Sequence, residues 1–351
     1  MAGPSVITDD VGALLSTTLR KYSKTMQDNI ATSTAILFMI MKRGDTYKVT
    51  SDIGAAMAVP LMYELGQTDT YSGYDPLDNT PAEGVTTAFF NYANHNTSIV
   101  IAGDEERKNG GTQTKIIDLA NTKVKQAELG AQDFFSKRFL YGAGGSTITT
   151  PYTSPMNGST FIDPLPKLIA YDPTASVVVG NINQSTSTWW RNQFLAMNGY
   201  TTFAGFLMGL RKLNQLCEFG PGGAPNLHML TPGTFLLYEA ALAAAHRNPS
   251  YNEADIPFTN VAFMGNPAVA DQHMPDYYSG TVTNTKGSWV MTNSRFFEMT
   301  VHSDANFTTT DFERDVSFDG RVAHIRWQGG VGISNRRKHG VAGYIDETIA
   351  A

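Results

Sequence analysis

Between residues 112 and 141 the apolar positions Ile116, Leu119, Ala120, Val124, Ala127, Ala131, Phe134 and Phe135 recur at spacings of three and four. That is the period of one face of an α-helix. Lys115, Lys123, Lys125, Glu128, Asp133 and Lys137 mostly fall on the remaining surface. A helix of about 28 residues at 1.5 Å per residue is a rod of roughly 42 Å. The apolar positions hold no strict heptad, so the pattern predicts a helix laid on a sheet rather than a coiled coil. Thr112 or Thr114 would cap its start and Gly142 would end it. Just upstream stand five consecutive charges, Asp104, Glu105, Glu106, Arg107 and Lys108, and then Gly110 and Gly111. Acidic groups there offset the positive end of the helix dipole, and Arg107 and Lys108 are expected to pair across a subunit boundary.

The segment ahead of this rod is strand-like. Ala55–Gln67 and Glu83–Gly103 are aromatic or β-branched, and the stretch between them is rich in turn residues, with Gly73, Pro76 and Pro81. Two strands of about ten residues form a hairpin some 30 Å long. An isolated hairpin is unstable in water, so this one is expected to lie across a neighbouring subunit. Residues 1–44 read as an arm that ends in a short helix. Its apolar run Ala35–Met41 is far below the roughly 18 residues a membrane span needs.

After the rod, residues 143–188 are rich in loop signals. Thr201–Phe219 then reads as a helix and Asn226–Leu230 as a buried strand. Pro232–Arg247 reads as a second helix, capped by Thr231 with Pro232 in first position. The stretches Val261–Gln272, Gly287–Ser303 and Arg321–Ser334 supply further strands.

No enzyme emerges from these residues. The seven histidines (95, 228, 246, 273, 302, 324 and 339) include no pair at helical metal-binding spacing. The glycine cluster at 142–147 follows a helix rather than a strand, and that at 329–334 runs into the basic stretch Arg336–Lys338, so neither reads as a phosphate loop. The single cysteine, Cys217, allows no internal disulfide. A net charge of −6 argues against a general nucleic-acid binder. Charged residues make up only 17% of the chain, against about 25% in an average soluble domain. The chain also holds 19 Phe, 15 Tyr and 4 Trp. Few charges with many aromatics is the composition of surfaces buried between subunits. The expectation is a soluble, unexported chain in a reducing compartment.

The order of arm, long hairpin, charged knot, single long helix and α/β region resembles the major capsid protein of tailed double-stranded DNA bacteriophages, the Hong Kong 97-like fold. The likeness rests on Ile101–Gly111 before the helix, Trp189–Asn192, Phe263–Asp271 and Arg326–Gly340. It implies an α+β chain with an arm and first helix (1–44) and an extended β-hairpin loop (45–97). A peripheral domain (98–165 and 286–328) would carry the spine helix 112–141, and an axial domain would take 166–285 and 329–351. It further implies a structural protein without catalytic residues, cofactor or metal, which self-assembles into pentamers and hexamers of an icosahedral head around double-stranded DNA, bound without sequence specificity. The implied inter-subunit residues are Tyr63, Tyr71, Tyr74, Asp104, Glu105, Glu106, Arg107, Lys108, Arg336, Arg337 and Lys338. Implied partners are many copies of itself, a portal protein at one vertex, and a scaffolding and a decoration protein where present, but no membrane. The location is the virion capsid, assembled in the host bacterial cytoplasm. No lysine lies between Gln67 and Asn96, so a covalent cross-link from the hairpin tip is not expected. An encapsulin-like compartment shell is the alternative on the same fold. A soluble hydrolase using Asp104–Glu106 is the alternative from another class.

Overall fold

The computed structural model describes residues 35–77, 83–109, 113–140, 147–148, 162–244, 260–277 and 285–349. The arm ahead of Ala35, the Thr112 cap, the Gly142 helix end and the side chains of Thr114, Ile116 and Leu119 lie outside the described residues. Helix α1 (Ala35–Lys42) leads into β1 (Tyr47–Thr50), β2 (Ala56–Met62), β3 (Val85–Asn91) and β4 (Ala93–Ala102), then α2 (Gly103–Asn109) and α3 (Gln113–Leu140). There follow β5 (Gln193–Ala196), α4 (Phe203–Glu218), β6 (Leu227–Leu230), α5 (Pro232–Ala244), β7 (Asn260–Phe263) and β8 (Asn266–Ala270). The last strands are β9 (Thr285–Thr292), β10 (Phe297–His302), β11 (Gly320–Ile333) and β12 (Gly340–Asp346).

The first sheet is organised by β11. One edge pairs with β10, which in turn carries β1 in parallel; the other edge pairs antiparallel with β4, from Gly320↔Ala102 to Gly329↔Ala93. Alternation puts Ala323, Ile325 and Trp327 on the buried face. Helix α3 covers that face with Ala120, Val124, Ala127, Phe135 and Phe139, and Ala131 on the same row is also buried. Phe135 meets Trp327 edge-on, with centroids 4.7 Å apart. The 28-residue helix is thus a rod on a sheet, as its period predicts. Two positions differ from the expected stripe. Phe134 is 40% exposed, with the Arg138 guanidinium 5.1 Å from its ring centroid. Glu128 is buried, because it stands one turn after Val124 in the inward row, and burial raises its carboxyl pKa. Helix α1 is apolar nearly all round, and Ile36, Leu37, Met39 and Ile40 are buried in the same core.

The second sheet runs β7-β8-β6-β9-β12-β5. Its core joins α4 and α5 to the sheet through Phe206, Leu210, Leu213, Tyr238, Trp289 and Ile345. Thr202 caps α4 by accepting from the Gly205 N–H at 3.1 Å, and Pro232 is the first residue of α5, as expected. The sheets divide the chain differently from the expected boundaries. β9 pairs with β6 and β12, so residues 286–292 belong to the second sheet rather than the first. β11 continues in the first sheet to Ile333, past 328. Long-range pairing sets these limits, and it leaves no local mark in the sequence.

The hairpin also differs from expectation. β2 and β3 pair over seven positions, Ala56↔Asn91 to Met62↔Val85, and at Tyr92 the chain leaves for the first sheet as β4. The expected ten-residue second arm is therefore two strands with different partners. Nor does the hairpin depend on a neighbour at its base. Leu61, Ala88 and Phe90 are buried against the molecule's own core. Gly180 (φ 61°) permits that contact, since a Cβ there would come within 2.8 Å of the Ala88 Cβ, and the Phe89 N–H donates to the Gly180 carbonyl at 3.2 Å. Gly332 does the same beneath, where a Cβ would fall 2.5 Å from the Met57 Sδ.

Candidate assembly surface

The charged knot is itself a helix. α2 spans Gly103–Asn109, and its charged side chains form ion pairs within the subunit. Lys108 bridges Asp104 at 2.5 Å, Arg107 bridges Asp319 at 2.7 Å, Lys123 of α3 bridges Glu105 at 3.3 Å, and Arg321 of β11 approaches Glu106 at 3.4 Å. Each carboxylate of the triplet thus has its own cation. This arrangement ties β4, α2, α3 and β11 together and does not assemble the pair of carboxylates a hydrolase needs. Within one subunit Arg107 and Lys108 make these internal bridges, and both side chains stay largely exposed.

The basic run near the C-terminus is mostly internal. Arg336 is fully buried; it donates to the Leu168 carbonyl at 2.8 Å, the Trp190 carbonyl at 3.0 Å and Asn192 Oδ1 at 3.3 Å. Burial without a carboxylate partner pulls its pKa down to about 9. Lys338 is also buried, and its ammonium donates to the carbonyls of Glu218, Gly220 and Gly223, the unpaired end of α4. Arg336 and Lys338 are therefore withdrawn as contact residues: both are spent holding backbone oxygens inside the subunit. Arg337 between them is exposed and lies 4.8 Å from the exposed Phe219 ring.

His228 and His339 are fully buried, and His95 is half-buried against Phe134, Phe135 and Trp327. Burial lowers the pKa of His95 to about 4 and of His228 and His339 to about 3. His228 Nδ1 accepts from the Trp289 indole N–H at 3.4 Å, and His339 Nδ1 accepts from the Asn293 N–H at 3.3 Å. Among the described residues no group of His, Cys, Asp or Glu is arranged to hold a metal, and no helix is long and apolar enough to cross a membrane.

The exposed apolar surface concentrates on the hairpin. Tyr63 stacks on Trp189 at 5.0 Å and donates its hydroxyl to the Glu83 carbonyl, so it is a strut at the base of the tip rather than a free contact residue. Beyond it Leu65, Tyr71, Tyr74 and Leu77 are exposed, as are Met62, Val85 and Phe89 on the outer face of the strands. From Val49 to Gly103 there are six Asp or Glu and no Lys or Arg, so this stretch alone carries as much formal charge as the whole chain, −6. An acidic, aromatic protrusion stands on a body that is otherwise electrically balanced. Trp189, in the stretch Trp189–Asn192 on which the sequence resemblance rests, positions the base of the tip through Tyr63.

No family model matches the chain, and no curated protein matches it in sequence. Solved structures do match. The chain is similar to the Cyanophage A-1(L) capsid, with a TM-score of 0.53 and 13% identity over 85% of this chain and 90% of that one. It is similar to Mycobacterium phage Bobi, with a TM-score of 0.50 and 12% identity over 85% and 88%. A holo-encapsulin complex from Synechococcus elongatus aligns at a TM-score of 0.49 and 8% identity over 86% of each chain. The fold is the α+β, Hong Kong 97-like fold of phage capsid proteins.

Proposed function

We propose that this chain is a structural shell subunit, the major capsid protein of a tailed-phage head, and not an enzyme. Many copies associate as pentamers and hexamers and close an icosahedral container around double-stranded DNA, in the virion and after assembly in the host bacterial cytoplasm. A portal protein occupies one vertex, and a separate scaffolding protein and a decoration protein act where present. The observation that carries the reading is the fold shared with the Cyanophage A-1(L) capsid over 85% of the chain. The exposed, acidic hairpin tip supports it, because apolar groups at Leu65, Tyr71, Tyr74 and Leu77 gain burial only against another molecule. Tyr71 and Tyr74 remain the proposed contact residues of the tip, and Arg337 that of the second sheet's end.

Electron microscopy of the purified full chain tests the reading. Closed particles are expected of the purified chain, and nuclease-protected DNA in particles isolated with their portal. A species of 38.2 kDa, or twice that, under every assembly condition removes the shell reading. Tailless shells filled with protein would transfer it to the encapsulin-like alternative. Deleting residues 68–81 should leave a folded subunit that forms no stable shell. Boiled shells should run as monomers, since the tip offers no lysine for a cross-link.

A further inference from the structure

An asparagine followed by glycine is the step at which a polypeptide most readily attacks itself. The missing Cβ leaves the glycine nitrogen free to swing onto the carboxamide before it. The chain has three such steps, and those at 109–110 and 157–158 fall wholly or partly outside the described residues. The third, Asn198–Gly199, forms the turn between β5 and α4. Both residues are exposed, and neither has a positive φ. One hydrogen bond, from the Tyr200 N–H to the Met197 carbonyl at 3.0 Å, closes the turn. The Asn198 carboxamide and the Gly199 N–H have no hydrogen-bond partner among the described residues. A Cβ on Gly199 would meet nothing within 4 Å, so the space that the attack requires is open.

The fold withholds the same freedom from comparable groups. Asn192 is buried; its carboxamide donates to the Ala170 carbonyl at 2.7 Å and accepts from the Ala170 N–H at 3.0 Å. Asp319–Gly320 can close the same ring in an unfolded chain. In the subunit the Asp319 carboxylate is held by Arg107 at 2.7 Å, its carbonyl accepts from the Gly103 N–H at 2.8 Å, and Gly320 is paired with Ala102 in the first sheet. Structure as well as sequence therefore singles out Asn198.

We propose that Asn198 is a self-modification site at which the chain deamidates. The Gly199 nitrogen bonds to Asn198 Cγ and the Cγ–Nδ2 bond breaks, so ammonia leaves with the proton of the Gly199 amide and a cyclic imide remains. Water then opens the imide at either carbonyl and leaves aspartate or isoaspartate; nothing is oxidised or reduced. Each event adds one negative charge to a chain of net charge −6. Isoaspartate also routes the main chain through its side-chain carbon, which lengthens a turn whose ends are fixed. Met197 is buried and its N–H donates to the Gly343 carbonyl at 2.9 Å, while Tyr200 packs on the second core. The added length falls on the stretch that leads to the Thr202 cap of α4. The modification belongs to the single subunit and stands apart from the shell reading.

Incubation of the purified, unassembled full chain in warm, mildly alkaline buffer tests it, read by trypsin digestion and tandem mass spectrometry. Cleavage after Arg191 and Arg211 releases one peptide that holds both Asn192 and Asn198. Asn198 should convert with time to two products of equal mass, aspartate and isoaspartate, while Asn192 stays intact and Asp319 does not isomerise. Isoelectric focusing of the intact chain should gain an acidic band at the same rate. Gly199→Ala should slow the conversion by roughly tenfold or more, because a Cβ restricts the backbone angles the attack must sample. The methyl has room and needs no unusual φ, so the variant should fold like wild type. The same chain unfolded in guanidinium chloride gives the reference rate whatever the variant does. The proposal is overturned if folded Asn198 stays intact while the unfolded chain converts, if Asn192 converts as fast as Asn198 in the folded subunit, or if Gly199→Ala converts at the wild-type rate.

Discussion

Phe89 and Phe90 are adjacent on β3 and point to opposite faces of the hairpin. Phe90 is 1% exposed, in contact range of Gly180 and Gly332, whereas Phe89 is 45% exposed. Truncating Phe90 to Ala removes a whole buried ring and leaves a hole floored by glycines, which have no side chains to fill it. Buried Phe→Ala changes cost about 3–5 kcal/mol. Phe89→Ala gives up a ring already nearly half in water, so its cost in the isolated subunit should stay within about 1 kcal/mol. Urea titration of unassembled protein reads both numbers. Particle yield should rank the variants by a second criterion: Phe89→Ala assembles poorly although it folds well, since its ring lies on the face left for a neighbour. Equal costs for the two in the unassembled subunit would refute the assigned face, and with it the claim that the hairpin is rooted in its own body.

Three further outcomes are expected. Ala131→Asp puts an unpaired carboxylate on the face of α3 turned to the sheet and should abolish soluble expression; normal assembly would contradict that face. Arg336→Ala strands the Leu168 and Trp190 carbonyls and Asn192 Oδ1, at about 1–3 kcal/mol per buried acceptor, and a thermal melt should show a large loss. Lowering the pH should weaken the unassembled subunit from about pH 6.5 downward. The unfolded chain binds protons at His95, His228 and His339 there, whereas the folded chain does not until about pH 4 for the first and about pH 3 for the other two. His95 carries roughly 3 kcal/mol of this loss and His228 and His339 somewhat more each, and replacement of His95 by the neutral Gln should flatten the pH profile in proportion. An unchanged slope would show that the rings are charged or exposed in the native subunit.

The parts legible in the sequence are those whose signal is local. Helix α3 carries its period in its own residues, and α5 announces its start with Thr231 and Pro232. The run from Glu83 to Gly103 is uniformly β-forming, so nothing in it marks Tyr92 as the point where one partner is exchanged for another 230 residues away. Asp104 and Lys108 stand four apart, which is a helical pairing signal, but a run of only seven residues before Gly110 and Gly111 is too short to carry a helical period. Arg336 and Lys338 look like a solvated basic run because the carbonyls they hold belong to residues 168–223, far off in sequence.

The account turns on a hairpin fixed at its base by its own subunit and occupied at its apex by another. Hydrogen exchange measured on the same protein before and after assembly tests that claim most directly. The account predicts that the amides of β2 and β3 are protected in both states, while those of residues 64–77 exchange freely in the subunit and slow sharply in the particle. Free exchange along β2 and β3 in the unassembled protein, or an apex equally open in both states, would contradict it.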